Sequence, residues 1–176
     1  SFIVGMSEES IELNIINNFL DKNFFDDLKK LVTESEFPWF QRKNMVPNAN
    51  DNDLGYFTHS FFSNNTINDE NYNKYILSIL NKLKVKAPIE VRANLSPSCF
   101  FKKNACAFHI DYEYKCKTAI LYLNTCDGGT ELKINNQIKF VKAEENKIVI
   151  FDTEIEHRGT KSTDQDFRYI LNFNYF

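Results

Sequence analysis

No stretch of this 176-residue chain approaches the ~18–20 consecutive apolar residues that a membrane-crossing helix requires. The first residues, SFIVGMSEES, lack a basic n-region and a long apolar segment, so they do not read as a signal peptide. They fit either a non-native remnant or a short leading strand. The four cysteines, Cys99, Cys106, Cys116 and Cys126, contain no CxxC pair. That leaves no closely paired thiolates for a structural zinc, and they read as free, mostly buried thiols in a reducing cytoplasmic setting. Excess positive charge is also missing. The net charge is -3, which gives no electrostatic case for nucleic-acid or membrane-surface binding. Arginine is scarce: Arg42, Arg92, Arg158 and Arg168 are the only four, so each is a candidate for work that needs a planar fork. Histidine is scarcer still, with His59, His109 and His157. No repeat, low-complexity tract or linker divides the chain. The expectation is one domain over 1–176, with a helical and β support over 1–88 and a β-rich core over 89–176.

What is present is material for a core. Hydrophobic residues make up 43% and aromatics 15%, with 17 phenylalanines, and a chain of this length can bury a sizeable interior. Residues 11–20 read as an opening strand. Asp21 then caps a helix carrying Phe24, Phe25, Leu28, Leu31 and Val32 at helical spacing. Trp39 follows Pro38 as a core anchor. Residues 42–54 lack apolar rhythm and read as a surface loop, with an active-site lid as the alternative. GYFTHSFF (55–62) is strand-like, and Asp69 to Lys84 reads as a second helix. From Pro88 onward the pattern turns to short β-rich runs: IEVRANL, CAFHID, KTAILYLN, GTELKI, QIKFV, KIVIFD and FRYILNFNYF. Turn signals separate them, among them DGG, INNQ and EEN. The fold class this implies is α+β, mainly β, an antiparallel sandwich or jelly roll with N-terminal helices packed on one side.

CAFHID is the chemical focus. On a strand, His109 and Asp111 leave the same face, roughly 6.5–7 Å apart, and can close on one metal ion if a third ligand arrives from a facing strand. His157, in IVIFDTEIEHRGT, is that third group. Two histidines and one carboxylate on one side of a metal make the facial triad of non-haem Fe(II) oxygenases.

The order His109-Ile110-Asp111, then His157, then Arg168 resembles the HxD…H…R signature of 2-oxoglutarate/Fe(II) dioxygenases. TAILYLNTCDGGTEL is similar to the YLN…GG segment of the prolyl-4-hydroxylase-like branch. VRANL and the closing FRYILNFNYF are similar to the strands that precede and end that core. The resemblance covers about residues 89–176 well and the N-terminal half in outline. It implies a double-stranded β-helix of cupin-like form, with Fe(II) held by His109, Asp111 and His157. It implies 2-oxoglutarate on two iron sites and O2 on a third, with ascorbate as a possible further cofactor. Decarboxylation to succinate would be coupled to hydroxylation of a C–H bond in a protein side chain, proline included, or in a small molecule. Arg168 would pair with the far carboxylate of 2-oxoglutarate through two parallel hydrogen bonds. Tyr122 matches a position whose hydroxyl often reaches the same carboxylate. Thr118, Asn94 and Asn172 are further cosubstrate-side candidates. Asn94 departs from the tyrosine common there.

Simpler readings accompany these. Arg158 should face away from His157 and be solvated. His59 either lines the substrate mouth or packs, and Gly128-Gly129 make a tight turn. The competing functions are a cupin-like metal protein without 2-oxoglutarate chemistry, a catalytically silent binding module, and a nucleic-acid demethylase. The first leaves Arg168 a coincidence. The second is opposed by a complete ligand set, and the third by the acidic balance.

Overall fold

A computed structural model of the chain describes residues 13–43, 55–99 and 106–176. The expectations for residues 1–10 and for the bulk of the 42–54 loop lie outside the described residues. The opening strand is β1 (Leu13–Ile16), and the first helix is α1 (Lys22–Thr33). The Asp21 carboxylate accepts the backbone N–H groups of Asn23 and Phe24, as a helix start with unsatisfied donors demands. Phe25, Leu28 and Val32 form its buried stripe.

Two short strands, β2 (Phe40–Arg42) and β3 (Tyr56–Ser63), are followed by β4 (Thr66–Ile67). The β3–β4 hairpin turns through Asn64 and Asn65, both at positive φ, where asparagine is tolerated. The expected helix over 69–84 is divided into a 3₁₀ turn (Glu70–Tyr72) and α2 (Ile76–Lys82). Asp69 explains the tight first turn. One carboxylate oxygen accepts the Asn71 N–H at 2.6 Å, and the other pairs with His59 Nε2 at 2.6 Å. The turn is thereby pinned to β3. Asn71 and Asn73, weak helix formers, lie where the helix is interrupted.

Seven strands complete the chain: β5 (Pro88–Pro97), β6 (Lys117–Tyr122), β7 (Gly129–Ile134), β8 (Gln137–Lys142), β9 (Ile148–Asp152), β10 (His157–Thr160) and β11 (Phe167–Tyr175). The CAFHID run is not a strand. It makes one isolated antiparallel bridge, His109 with His157. The larger sheet runs β1-β9-β6-β11-β5-β3-β2, with β4 on β3, and the smaller runs β10-β7-β8. Every pairing is antiparallel, and the two sheets make the expected jelly roll. No described helix is long and apolar enough to cross a membrane.

Strand alternation builds two cores. On β6 and β11, Ala119, Leu121, Leu171 and Phe173 share one apolar cluster with Phe25, Leu28, Ile76 and Ile79 of the helices. The intervening Ile120, Tyr122 and Ile170 join Leu132, Val141, Val149 and Phe151 in a second cluster that spans both sheets. Trp39 packs partly buried at the first cluster, 5.0 Å from Phe37 and 6.1 Å from Tyr169 between ring centroids. The Gly128-Gly129 pair owes its glycines to crowding rather than to turn geometry, since neither has positive φ. A Cβ on Gly128 would stand 2.7 Å from the Thr160 carbonyl oxygen, and one on Gly129 would collide with the Val141 carbonyl.

Candidate metal and cosubstrate site

The triad assembles where the two sheets face each other. His157 is the first residue of β10, and His109 reaches it through the isolated bridge. The His109 N–H donates to the His157 carbonyl at 3.0 Å, and the His157 N–H donates back at 2.9 Å. The side chains converge as well. His109 Nε2 lies 3.5 Å and His157 Nε2 3.4 Å from the same atom, Asp111 Oδ1. One ligand atom from each of the three residues falls within 4.8 Å of the others, a group that could hold one metal ion.

Each imidazole is fixed by a carbonyl two residues upstream. His109 Nδ1 faces the Ala107 oxygen at 3.1 Å, and His157 Nδ1 faces the Ile155 oxygen at 3.1 Å. A carbonyl only accepts, so both Nδ1 atoms carry the proton and both Nε2 atoms are left for a metal. Asp111 is fixed from behind: Asn174 Nδ2 donates to its Oδ2 at 2.8 Å and to Thr118 Oγ1 at 3.0 Å, while Asn172 Nδ2 donates to Asn174 Oδ1 at 2.9 Å. Such outer contacts orient metal ligands. Without a metal, His109 and Asp111 bias each other's protonation. Burial would push His109 down, but its hydrogen bonds to Asp111 and Cys106 outweigh that and carry it up to about 10. Burial would raise Asp111, yet hydrogen bonds from His109 and His157 hold it well below the usual carboxylate range. Each of the two shifts has the other group among its causes: the carboxylate favours the charged imidazole, and the imidazole favours the ionised carboxylate.

The triad opens into a small cleft, also lined by Tyr56, Arg92, Asn94, Ile120, Thr130, Gly159, Arg168, Ile170 and Asn172. Arg168 is 3% exposed and stands on β11 opposite Ser96. Its Nε has no partner, and the other buried side-chain N or O atoms without one, among the described residues, are Arg92 Nε and Asn94 Oδ1. All three belong to residues lining this one cleft. A buried unpaired donor or acceptor costs about 1–3 kcal/mol. Three together indicate polar groups kept for something that enters. Burial pulls the Arg168 guanidinium down, partly offset by Tyr122, Cys126 and Cys106.

The sequence candidates divide accordingly. His109, Asp111, His157, Arg168, Asn94 and Asn172 meet at the cleft. Tyr122 stands behind it: its phenol, pushed up to about 12 by burial, donates to Thr130 Oγ1 at 2.7 Å, and Thr130 lines the cleft. Thr118 is likewise one layer back, bonded to Asn174 and to Thr153 at 3.0 Å. His59 packs elsewhere, between Asp69 and the Pro38 carbonyl and against Phe37 and Phe61. Arg158 is partly exposed, and paired instead of freely solvated. Its Nε pairs with Glu131 at 2.6 Å and its guanidinium lies 4.2 Å from the Phe108 ring centroid. None of the four cysteines is in a disulfide among the described residues, and all four are buried. Tyr56, Thr130 and Asn174 were not foreseen, and Arg92, noted as one of four scarce arginines, was not placed at the site. Arg92 and Asn174 could have been, because each lies two residues from a candidate on the same strand face.

No family model and no curated protein matches the sequence. Solved structures do match the fold. A prolyl hydroxylase from Trichoplax adhaerens, in complex with a hypoxia-inducible-factor peptide fragment, is 18% identical with a TM-score of 0.72. That match covers 95% of this chain and 84% of the other. A 2OG-Fe(II) oxygenase-family oxidoreductase from Burkholderia pseudomallei is 9% identical with a TM-score of 0.72, covering 93% and 84%. The viral collagen prolyl hydroxylase of Paramecium Bursaria Chlorella virus-1, in its 2OG complex, is 16% identical with a TM-score of 0.54, covering 92% and 94%. The chain therefore has the jelly-roll fold of 2OG-Fe(II) oxygenase structures, prolyl hydroxylases among them.

Proposed function

We propose that the chain is an Fe(II)- and 2-oxoglutarate-dependent dioxygenase that hydroxylates a C–H bond. The observation that carries this is one cleft holding three converging ligand atoms and a buried arginine whose Nε is unpaired. His109 and His157 would hold iron through Nε2, and Asp111 through Oδ1. Two nitrogens, one oxygen and an open side suit Fe(II). Arg168 would hold the far carboxylate of 2-oxoglutarate, a buried guanidinium being suited to a bidentate acid. Bound together, the metal and cosubstrate would supply oxidative decarboxylation to succinate and the oxidising power for hydroxylation. Asn94 and Asn172 would line the cosubstrate channel. Tyr122 would support Thr130 and Arg168 from behind, and Thr118 would support Asn174. Asn174 would keep Asp111 from rotating.

A single domain over 1–176, with the catalytic core in 89–176, fits the continuous larger sheet, to which β1 and β11 both contribute. Four buried cysteines, none in a disulfide among the described residues, support a reducing, cytoplasmic setting. Two of the similar structures are prolyl hydroxylases, and one holds a peptide. That supports a protein side chain as substrate, with a small molecule as the alternative. A cupin-like metal protein would leave the buried Arg168 without a purpose. The test is succinate formed from 2-oxoglutarate, with anaerobic binding of Fe(II) and 2-oxoglutarate read by visible absorption. His157→Ala should lose both signals. Metal and cosubstrate binding retained in both His109→Ala and His157→Ala would refute the triad.

A further inference from the structure

Arg92 and Arg168 stand at opposite ends of the cleft. β5 pairs with β11 so that Ser96 lies opposite Arg168 and Arg92 opposite Asn172. Four strand positions, ~13 Å of rise, therefore separate the two arginines along the sheet. Arg92 occupies the metal end: Asn174, which holds Asp111, is opposite Glu90, two residues from Arg92. Burial lowers the Arg92 guanidinium, and the charges of Glu90, Tyr56 and Asp111 more than restore it.

The guanidinium is tethered by one edge only. Nη1 reaches Glu90 Oε1 at 3.4 Å, and Glu90 is itself held through Oε2 by the Tyr112 hydroxyl at 2.9 Å. The opposite edge carries Nε–H, buried and without a partner. An edge of Nε–H and Nη2–H donates two parallel hydrogen bonds, the geometry of a carboxylate. Lysine, the abundant cation of this chain, could not present that edge.

We propose that Arg92 selects the primary substrate by taking a carboxylate of it in a side-on pair of hydrogen bonds. The substrate class is a carboxylic acid, either a free amino acid or an acidic side chain in a peptide. This rests on the oxygenase reading, in which Arg168 is committed to 2-oxoglutarate and Arg92 is left for the second molecule.

The test compares acids with their amides. One arm uses the twenty free L-amino acids against their α-carboxamides. The other uses end-blocked hexapeptides with central Asp or Glu against Asn or Gln. Binding to the full chain is read by calorimetry, both metal-free and anaerobically with Mn(II) and 2-oxoglutarate, and succinate formation is read in parallel. At least one acid should bind tenfold or more tightly than its amide. Arg92→Gln should erase that preference, and Arg92→Lys, which keeps charge without the fork, should retain part of it. The lysine variant also serves if the glutamine variant does not fold. Acids and amides that bind alike in every pair, or not at all, overturn the proposal. So does a preference that survives in Arg92→Gln, or a tenfold fall in its 2-oxoglutarate affinity, which would give Arg92 to the cosubstrate. An Arg92-dependent acid preference without any succinate would refute the oxygenase reading and leave the acid site standing. Succinate without the preference would do the reverse.

Discussion

Replacing Asn174 by leucine keeps the branched outline of the side chain, with bulkier methyl ends, and removes three hydrogen bonds. Asn174 is 1% exposed, so water cannot substitute for it. Its Nδ2 donates to Asp111 Oδ2 and Thr118 Oγ1, and its Oδ1 accepts from Asn172. Thr118 keeps Thr153 as a partner, but Asn172 and Asp111 lose their hold. Leaving a buried acceptor on an ionised group unpaired costs about 1–3 kcal/mol or more, so a fold less stable by about 2 kcal/mol is expected. The effect on metal should be distinct. Oδ2 is the handle that keeps Oδ1 turned toward the two imidazoles, and loss of such an outer contact typically weakens metal binding 10–100-fold. Anaerobic calorimetry with Mn(II), run well below the melting temperature of the variant, separates the two effects. A metal affinity within twofold of wild type would refute the idea that Asn174 orients Asp111.

Three further outcomes follow from the same geometry. Arg168→Met should bind 2-oxoglutarate at least tenfold more weakly while holding metal. It should also melt higher, by about 2–4 °C per kcal/mol gained, because a buried cation without an acid partner among the described residues is removed; an unchanged cosubstrate affinity would contradict its role. Metal affinity should climb with pH by up to tenfold per unit from neutrality toward pH 10, since metal must displace the proton that His109 holds to about 10. In the metal-free fold that proton's stabilisation is complete below the ordinary histidine range and is lost as pH rises through about 10. Calorimetry in buffers of different ionisation heat should count the released proton, and none released would contradict this. Gly129→Ala should cost about 1–3 kcal/mol through collision with the Val141 carbonyl. It should also loosen metal, because β7 carries β10 and hence His157; a melting temperature within 1 °C of wild type would contradict the crowding argument.

Much of this arrangement was legible because it is periodic. The helix stripe of Phe25, Leu28 and Val32, the Asp21 cap, and strand alternation on β6 and β11 appear as read, since each depends on neighbours in sequence. The candidate triad stood out in the sequence for a different reason: histidines are few, and His109 and His157 each sit in a segment resembling the HxD…H signature. What failed to show was long-range. Nothing near Tyr122 says that Thr130 intercepts its hydroxyl, and nothing near Arg158 announces Glu131 on the neighbouring strand. The break within 69–84 depends on Asn71 and Asn73, which local propensity can report, and on Asp69 finding His59, a tertiary contact that it cannot. Arg92 was named only as one of four scarce arginines, because its place in the site lies in an unpaired atom, and pairing is visible only once the cleft exists.

The mutual backbone pair between His109 and His157 bears on how metal would arrive. The two histidines are 48 positions apart, and closing a flexible loop of that length costs about 3.4 kcal/mol beyond a constant. Two main-chain hydrogen bonds hold that loop shut before any ion binds. An incoming metal thus meets ligands already gathered, and its full coordination energy can appear as affinity instead of being consumed in organising the chain. Loading should then be a single bimolecular step, and stripping the ion with a chelator should leave the sheet pairing of the core in place.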